Sequence, residues 1–343
     1  MTVLLVDWLG RGGIAQMTEA WAIGLRAAGV DTAIVTRPGR ELGQGSVPVR
    51  SVPDRRTRLL AHVALVKAAV AAIRELRPSA VVLQNHVIPP VEAMVDRAAR
   101  HIGSTVVRVV HDHRLHSRWA GTQIGVHGLF QRADLLLAHT QYVGEQVAAA
   151  VDREVEILPL PVQVGVLAHD VPPVPERLLG PGDLALHFGV VHREYKGTDV
   201  ILALAARGVP GWRLGVVGTG APVAPGLATI EGFVAPGVLV AAVKASAATL
   251  LPYRFATQSG AVVLAQALGS VPIANAVGGL PEQISDGKTG ILLPPKAGVG
   301  AWQDALSSLD EPTRQGLADR AAAHVWEAHG RFCARIAEIA GAA

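Results

Sequence analysis

Two cations lie three residues apart in a loop that follows an apolar run and begins at a glycine. They are Arg193 and Lys196, and the glycine is Gly189. A planar guanidinium binds phosphate oxygens in pairs, whereas an ammonium binds them as a point charge. Fixed cations of this kind stabilise the charge that develops on a phosphate leaving group. The spacing predicts a phosphate-binding loop, and the alternative is a pair of solvated loop cations.

A second apolar run leads into a polar turn, Thr257-Gln258-Ser259-Gly260, which precedes a helical pattern over 261–268. The first main-chain N–H groups of a helix have no partner within the helix and carry a partial positive charge. Together with the two hydroxyls of the turn, they suit a phosphate or the hydroxyls of a sugar. The turn is therefore a second candidate site, the alternative being a helix cap without a ligand.

The first apolar run leads into a glycine-rich loop that contains Gly12 and Gly13 and precedes a helical pattern near Ile14. Glycine lets the main chain approach a bound group and adopt positive φ. The spacing is not the dinucleotide fingerprint, because the later helical glycine and an acid for the ribose are both missing. We therefore predict no redox cofactor, and the loop is either a ligand contact or a tight turn.

Residues that could bind a metal ion form no convincing set. His111, Asp112, His113 and His116 match no standard zinc spacing. No Asp-X-Asp pair, the usual way to hold a divalent ion against a diphosphate, occurs in the chain. The sequence therefore predicts no metal site.

The elements that position these loops alternate in both halves of the chain. Short β-branched runs are separated by helical periodicity, which requires crossover connections and a mostly parallel sheet. A proline-rich segment, 158–175, interrupts the alternation. The predicted fold class is α/β with two Rossmann-like domains. The predicted strands are 3–6, 33–35, 80–83, 105–110, 135–138, 184–188, 213–217, 248–251, 271–274 and 290–293, and one or two closing helices are expected over 313–340.

The length of 343 residues supports two domains, since single hydrophobic cores stop growing at about 250 to 300 residues. We predict an acceptor-side domain over 1–165, a donor domain over 166–325 and a closing helix over 326–343. Doubly wound sheets bind ligands beyond the carboxyl ends of their strands. We therefore expect the two domains to face a central cleft.

Charge and composition narrow the function classes. A formal charge of +3, from 31 basic and 28 acidic residues, does not support a dedicated nucleic-acid binder. Cys333 is the single cysteine, so no disulfide is expected. The chain opens without the basic start of a secretory signal, and its most apolar stretch, 59–73, is too short and too polar to span a bilayer. We therefore predict a cytoplasmic protein.

Three stretches carry a resemblance to a known family. They are Arg193-Glu194-Tyr195-Lys196-Gly197, Gly278-Gly279-Leu280-Pro281-Glu282 and Asp286-Gly287-Lys288-Thr289-Gly290-Ile291-Leu292-Leu293-Pro294. The first is similar to the donor-phosphate clamp, and the others to the C-terminal signature, of the retaining glycosyltransferases of the GT-B fold called group 1 or family 4. The resemblance covers nearly the whole chain. It implies transfer from a nucleotide diphosphate sugar of UDP or GDP type, with retention of configuration and without a metal ion or cofactor.

The resemblance also implies roles for individual residues. Gly12 and Gly13 would lie near the donor phosphates and the acceptor, and Arg193 and Lys196 would hold the diphosphate. His111 follows a predicted strand at the place of the family's active-site histidine, which implies contact with the donor sugar or acceptor. The alternative for His111 is a structural histidine at a strand end.

One departure concerns two glutamates that the family commonly carries eight positions apart. A register on Gly260 places Thr257 and Ala265 at those positions, and a register one residue later places Gln258 and Gln266 there. Both acids are missing in either register, although amides can hydrogen-bond sugar or ribose hydroxyls without charge. Which residues contact the sugar and the ribose therefore depends on the register, and both registers stay open.

The acceptor is expected to lie against the first domain. Position alone makes four residues acceptor-side candidates: Trp8, Asn85, His86 and Arg114. They do not distinguish a small molecule from a lipid or a polymer. A basic amphipathic segment over 55–74 would suit peripheral contact with the inner face of a membrane, the alternative being an ordinary helix with a basic edge.

Other function classes would use the same fold. A GT-B-like sugar phosphorylase or nucleotide-sugar epimerase would need the same cleft, and a non-catalytic nucleotide-sugar-binding protein would explain the missing glutamates. The weak positive charge gives little support to a nucleic-acid acceptor. These classes stand as alternatives to glycosyl transfer.

Overall fold

A computed structural model describes residues 1–37, 49–51, 58–112 and 125–341. They divide into two compact units, one of residues 1–165 with 329–343 and one of residues 166–328. Each unit is built on its own parallel β-sheet with helical crossover connections. The predicted α/β class with two Rossmann-like sheets is confirmed.

The amino-terminal unit is a seven-stranded sheet with helices between its strands. Its strands are β1 (Thr2–Asp7), β2 (Asp31–Thr36), β3 (Val49–Ser51), β4 (Ala80–Gln84), β5 (Thr105–Val110), β6 (Leu135–Ala138) and β7 (Glu156–Ile157). Its helices are α1 (Gly12–Ala27), α2 (Arg58–Leu76), α3 (Pro89–His101), α4 (Val126–Arg132) and α5 (Gln141–Val151). The strand order is β3-β2-β1-β4-β5-β6-β7, and every pairing is parallel.

The carboxyl-terminal unit follows α6 (Val164–Leu167) and contains a six-stranded sheet. Its strands are β8 (Asp183–Phe188), β9 (Trp212–Gly218), β10 (Leu227–Glu231), β11 (Ala248–Leu251), β12 (Val271–Asn275) and β13 (Ile291–Leu293). The helices are α7 (Thr198–Arg207), α8 (Pro236–Lys244), α9 (Gly260–Ala267), α10 (Leu280–Gln283), α11 (Val299–Ser307) and the first part of α12 (Glu311–Ala340), whose residues from 329 on belong to the amino-terminal unit. The order β10-β9-β8-β11-β12-β13 is again wholly parallel.

The sequence located the interior strands and missed strands at the edges. Every predicted strand is present with bounds that differ by two residues or fewer, and the closing pattern is the single helix α12. The unpredicted strands β3, β7 and β10 are all edge strands. Edge strands are covered on fewer sides, so their residues do not form the continuous apolar run of a buried parallel strand.

The parallel pairing brings the functional loops together within each unit. In the carboxyl-terminal unit β8 and β12 both pair with β11, so the loops that leave these three strands emerge at one edge of the sheet. In the amino-terminal unit the same holds for β1, β4, β5 and β6. These two edges are where ligands of doubly wound sheets bind.

Candidate functional site

The loop after β8 carries both predicted phosphate-binding cations. Gly189 begins it with φ 113° and donates its N–H to the neighbouring strand β9. A short 3₁₀ helix, Glu194–Lys196, follows the exposed Arg193, and Lys196 is half-buried. Gly197 then takes the left-handed conformation, with φ 68°, before α7 begins. Both cations therefore lie in one tight turn at the carboxyl edge of the sheet.

The loop from Gly189 to Gly197, called the cation loop below, packs tightly against the residues that follow β11. A Cβ added to Gly197 would lie far inside van der Waals contact with the carbonyl oxygen of Pro252. Arg254 completes the attachment, because its main-chain N–H donates to the carbonyl of Tyr195 at 2.7 Å and its guanidinium donates to the carbonyl of Glu194 at 2.6 Å. The position of the cation loop is thus fixed by residues 252–254.

Lys196 lies over an aromatic ring that the sequence analysis did not single out. Its Nζ is 3.8 Å from the centroid of the Tyr253 ring and 5.5 Å from that of Tyr195. Tyr253 is only 1% exposed. The shorter distance is within the range of a cation–π interaction, in which the negative ring face attracts the ammonium.

His187 ties three elements together beneath the cation loop. It is fully buried in β8, with Nδ1 2.8 Å from the carbonyl oxygen of Leu250 and Nε2 3.3 Å from Oγ1 of Thr198. A carbonyl can only accept, so Nδ1 carries the proton in this contact. Burial lowers the pKa of His187 to about 4, and the ring is therefore neutral near pH 7. We assign His187 a structural role.

The polar turn before α9 is held by amide side chains. Ser259 donates its N–H to Oε1 of Gln283 at 2.7 Å, and Nε2 of Gln283 donates to the carbonyl of Ser259 at 3.2 Å. Gln266 is buried and donates to the carbonyl of Gln283 at 2.9 Å. The N–H of Ser259 and the amide of Gln266, both expected to contact the donor, thus bond to the protein itself.

The remaining members of this turn are more accessible. Thr257, Gln258 and Gly260 are each half-buried, and Gly260 is the first residue of α9. They stand at the same sheet edge as Lys196, because β11 pairs with β8. Of the predicted donor contacts in this turn, these three therefore keep surface that a ligand could reach.

The glycine-rich loop of the amino-terminal unit is open on its outer side. Asp7 ends β1 and accepts the N–H groups of Leu9 and Gly10 at 2.8 and 3.0 Å, while burial raises the pKa of its carboxyl. Helix α1 begins at Gly12, two residues before the predicted start. Gly12 and Gly13 are exposed, and a Cβ added to either would meet no atom within 4 Å. The loop has room for a bound group.

Trp8, an acceptor-side candidate by position, lies inside the unit. It is fully buried in the hydrophobic core between β1 and α2, with its ring 5.1 Å from that of His62. Trp8 therefore packs against the interior instead of lining the open face of the loop. Its position one residue beyond β1 indicated the sheet edge correctly but not the direction of the side chain.

His111 lies in a cluster of neutral imidazoles at the ends of β5 and β6. Its Nε2 is 3.0 Å from Oε1 of Gln84, and its ring centroid is 5.0 Å from that of His139. His139 binds the carbonyl of Leu158 through Nδ1 at 2.8 Å. Burial lowers the pKa of both rings, that of His139 to about 4 and that of His111 well below its usual range. Both side chains are neutral hydrogen-bonding groups near pH 7.

Asn85 and His86 follow β4 beside this cluster. Asn85 has φ 66°, an unusual value for a residue with a side chain, and its N–H donates to the carbonyl of Val109 at 2.9 Å. His86 is buried with its ring 5.3 Å from that of Phe130, and burial lowers its pKa to about 4. Residues other than glycine with positive φ, such as Asn85, are found preferentially at functional sites. Arg114 lies outside the described residues.

A buried ion network supports the start of α3 next to His86. Glu92 accepts the N–H groups of Val87 and Ile88 at 2.7 Å each and lies 3.2 Å from Nε2 of His62. Arg108 of β5 donates to a second carboxylate of α3, Asp96, at 2.6 Å. Breaking one partner of such a buried set is costly, because the other charge stays desolvated. The network therefore holds the loop after β4 in place.

Two of the sequence expectations concern binding of metals and membranes. No group of three or more histidine, cysteine or acidic residues within the described ranges could hold a metal ion. The proposed basic segment begins outside those ranges, and no helix within them is long and apolar enough to cross a bilayer. The described residues therefore supply no candidate metal ligands and no membrane-spanning helix.

Comparison with known proteins finds a family model that matches part of the carboxyl-terminal unit. Residues 182–311 match the family model of glycosyl transferases group 1. The chain is 30% identical over 233 residues to the D-inositol 3-phosphate glycosyltransferase of Actinosynnema mirum, an alignment that covers 59% of this chain and 55% of that protein. The chain thus spans about half the length of this relative. The predicted resemblance is confirmed for the matched residues, which include both cation positions.

Solved structures extend the likeness to both units as a fold. Anabaena Alr3699/HepE in complex with UDP-glucose superposes with a TM-score of 0.76 at 16% identity, covering all of both chains. Sucrose-phosphate synthase from Thermosynechococcus elongatus gives 0.74 at 14% identity, covering 99% of this chain and 98% of that one. At such identities the likeness shows the fold alone. The chain has the GT-B fold.

Proposed function

We propose that the chain is a glycosyltransferase using a nucleotide diphosphate sugar, starting from the match of residues 182–311 to the family model of glycosyl transferases group 1. The observation that carries the proposal is the loop of Arg193 and Lys196, fixed at the sheet edge beside the turn of Thr257 to Gly260. Both stretches lie within the residues that match the family. Cations and polar groups at one edge are what a sugar diphosphate requires.

In the proposed reaction the protein supplies position and charge. Breaking the glycosidic bond leaves negative charge on the nucleotide diphosphate, and Arg193 and Lys196 stabilise it. The half-buried groups of Thr257, Gln258 and Gly260 bind the phosphate or sugar, while Ser259 and Gln266 shape the turn from within. The reaction proceeds with retention of configuration, through front-side attack, and without a metal ion, as the resemblance implies.

On the amino-terminal unit we assign His111 to contact with the donor sugar or the acceptor. The lowered pKa of His111 supports a neutral hydrogen-bonding role over proton transfer near pH 7. Gly12 and Gly13, in the same unit, have free space where a side chain would stand. Asn85 and His86 are the remaining described acceptor-side candidates. The acceptor panel begins with D-inositol 3-phosphate, the compound in the name of the Actinosynnema mirum relative.

A thermal-shift screen with UDP, GDP, ADP, CMP and dTDP tests the proposal. A ligand that binds only the native state raises the melting temperature. At a ligand concentration of one hundred times Kd, the free energy of unfolding increases by about 2.7 kcal/mol. We expect UDP to give the largest shift, since a similar fold binds UDP-glucose. No shift with any of the five nucleotides would contradict a nucleotide-sugar donor.

Product analysis separates glycosyl transfer from the alternatives that share this fold. After incubation with a UDP-sugar and the acceptor panel, a glycosyltransferase gives a glycosylated acceptor and UDP. A phosphorylase gives a free sugar phosphate, an epimerase gives an altered nucleotide sugar, and a binding protein gives no turnover. Fold alone does not decide among these, because one fold hosts many chemistries.

A further inference from the structure

Resting on the glycosyl transfer proposed above, we propose that Tyr253 is the residue that positions Lys196 for the donor diphosphate. The Nζ of Lys196 is 3.8 Å from the centroid of the Tyr253 ring. Lysine has a flexible four-carbon stem, so an ammonium without such a partner would sample many positions. The ring confines it to the edge where β8 and β11 end.

The ring of Tyr253 is itself rigidly held. It packs in a cluster of buried apolar side chains that includes Leu251, Val262 and Leu280, and only 1% of the residue is exposed. Its main-chain carbonyl accepts a hydrogen bond from Nδ2 of Asn275 at 3.1 Å. A buried ring held by apolar packing and by its bonded main chain is a platform whose position changes little when a ligand binds.

The choice of an aromatic partner preserves the charge of Lys196. Among the described residues, no carboxylate forms an ion pair with it, and the nearby Asp199 bonds to Arg254 instead, at 2.6 Å. A carboxylate would neutralise the ammonium, whereas a ring attracts it through a quadrupole and adds no net charge. The cation is therefore held in place with no carboxylate among the described residues paired to it.

The hydroxyl of Tyr253 takes no part in this arrangement. It is buried and has no hydrogen-bond partner among the described residues. Removing such a group costs no hydrogen bond within the protein. Tyr253→Phe therefore keeps the platform, and Tyr253→Leu removes the aromatic face while keeping an apolar side chain.

The test compares binding of UDP with binding of uridine, which lacks the phosphates, by titration calorimetry and ligand-observed NMR. We expect Tyr253→Leu to raise the Kd of UDP about three- to thirtyfold, the range of a cation–π interaction, and to leave that of uridine unchanged. Tyr253→Phe stays within about twofold of the original chain on the same argument. In the Lys196→Ala background, Tyr253→Leu causes no further loss, because the cation it positions is absent.

A fluorinated phenylalanine series at position 253 covers the case in which Tyr253→Leu does not fold. One to three ring fluorines keep the shape of the ring and weaken its negative face, so the Kd of UDP rises with each fluorine. An unchanged Kd across the series, or losses for Tyr253→Leu and Lys196→Ala that simply add, would overturn the role of Tyr253. Failure of the unsubstituted chain to bind any of the five nucleotides would instead contradict the proposed function.

Discussion

The side chain of Gln283 and the main chain of Ser259 exchange two hydrogen bonds, N–H to Oε1 at 2.7 Å and Nε2 to carbonyl at 3.2 Å. This pair joins the end of α10, the short helix that follows β12, to the turn before α9. Ser259 is only 5% exposed, so water cannot readily replace either bond. The turn at the proposed donor site is therefore held by a residue outside it.

Removing this amide should loosen the donor turn. In Gln283→Ala the N–H of Ser259 loses its partner while buried, at a cost of about 1 to 3 kcal/mol. We expect a lower melting temperature and weaker UDP binding. Gln303→Ala is the matched control, since Gln303 also donates to a carbonyl, that of Gly208 at 3.0 Å, but at the surface. Equal UDP affinity in both variants would contradict the role of Gln283.

Lys196→Ala should abolish most transfer and leave the fold intact. A hydrogen bond to a charged group contributes about 1.5 to 3 kcal/mol, so the Kd of UDP should rise about tenfold to a hundredfold. The side chain is half-buried and has no ion pair among the described residues, so its loss removes the contact with the Tyr253 ring, at most about 2 kcal/mol, and leaves the chain folded. Lys244→Ala, at the exposed end of α8, is the control. Turnover at the original rate would refute the assignment.

Gly197→Ala should displace the cation loop. Both Gly197 and Gly269 have positive φ, 68° and 78°, yet a Cβ at Gly197 would overlap the Pro252 carbonyl, whereas one at Gly269, just after α9, would meet nothing within 4 Å. Gly269→Ala therefore carries only the conformational cost, about 1 to 2 kcal/mol. We expect Gly197→Ala to lower the melting temperature further and to lose UDP binding. The idea fails if the two variants behave alike.

Removal of divalent ions should leave donor binding and transfer unchanged. Neither the sequence pattern nor the described residues offer a cluster that could hold a metal ion. The charge of a diphosphate is then balanced by side chains such as Arg193 and Lys196. The measurement is UDP binding and transfer after dialysis against EDTA, with and without added Mg²⁺. A chelator that abolishes transfer, reversed by Mg²⁺, would contradict metal independence.

The sequence predicted the interior of each sheet because burial on both faces produces an unbroken apolar run, as over 80–83 in β4 and over 135–138 in β6. It missed β10, an edge strand in which three of five residues are half-buried and only Thr229 is buried. The same logic located Arg193 and Lys196, since a polar run after a buried strand must emerge at the ligand-binding edge. The local sequence pattern was sufficient to predict a strand wherever the strand is buried on both faces.

The contacts that hold the site depend on residues far apart in the chain, and pattern alone could not supply them. Lys196 and Tyr253 meet because β8 pairs with β11, and Ser259 and Gln283 meet because β11 pairs with β12. The sequence contained a weak signal for each, since Tyr253 follows a strand and Gln283 follows the signature glutamate. Which neighbours they would meet is set by strand order.

Acid should destabilise the protein between about pH 6.5 and pH 4, through its buried histidines. Burial lowers the pKa of His86, His139 and His187 to about 4 in the folded chain, while the unfolded chain titrates near 6.5. As the pH falls through this window, the unfolded chain binds protons that the folded chain does not. Stability is therefore fully present above pH 6.5 and is lost toward pH 4, by about 1.4 kcal/mol per pH unit for each histidine.

The contribution of one histidine can be isolated by substitution. His187→Gln removes one titrating group from the carboxyl-terminal unit and also two contacts, so it should be less stable than the original chain at pH 7.5. Between pH 7 and pH 5 its stability should fall less steeply, by about 1 kcal/mol per pH unit, because up to one fewer proton is taken up on unfolding. Melting temperatures at half-unit steps of pH measure this. Parallel curves for the two proteins would mean that His187 titrates alike in the folded and unfolded chains, contrary to its burial between β8 and β11.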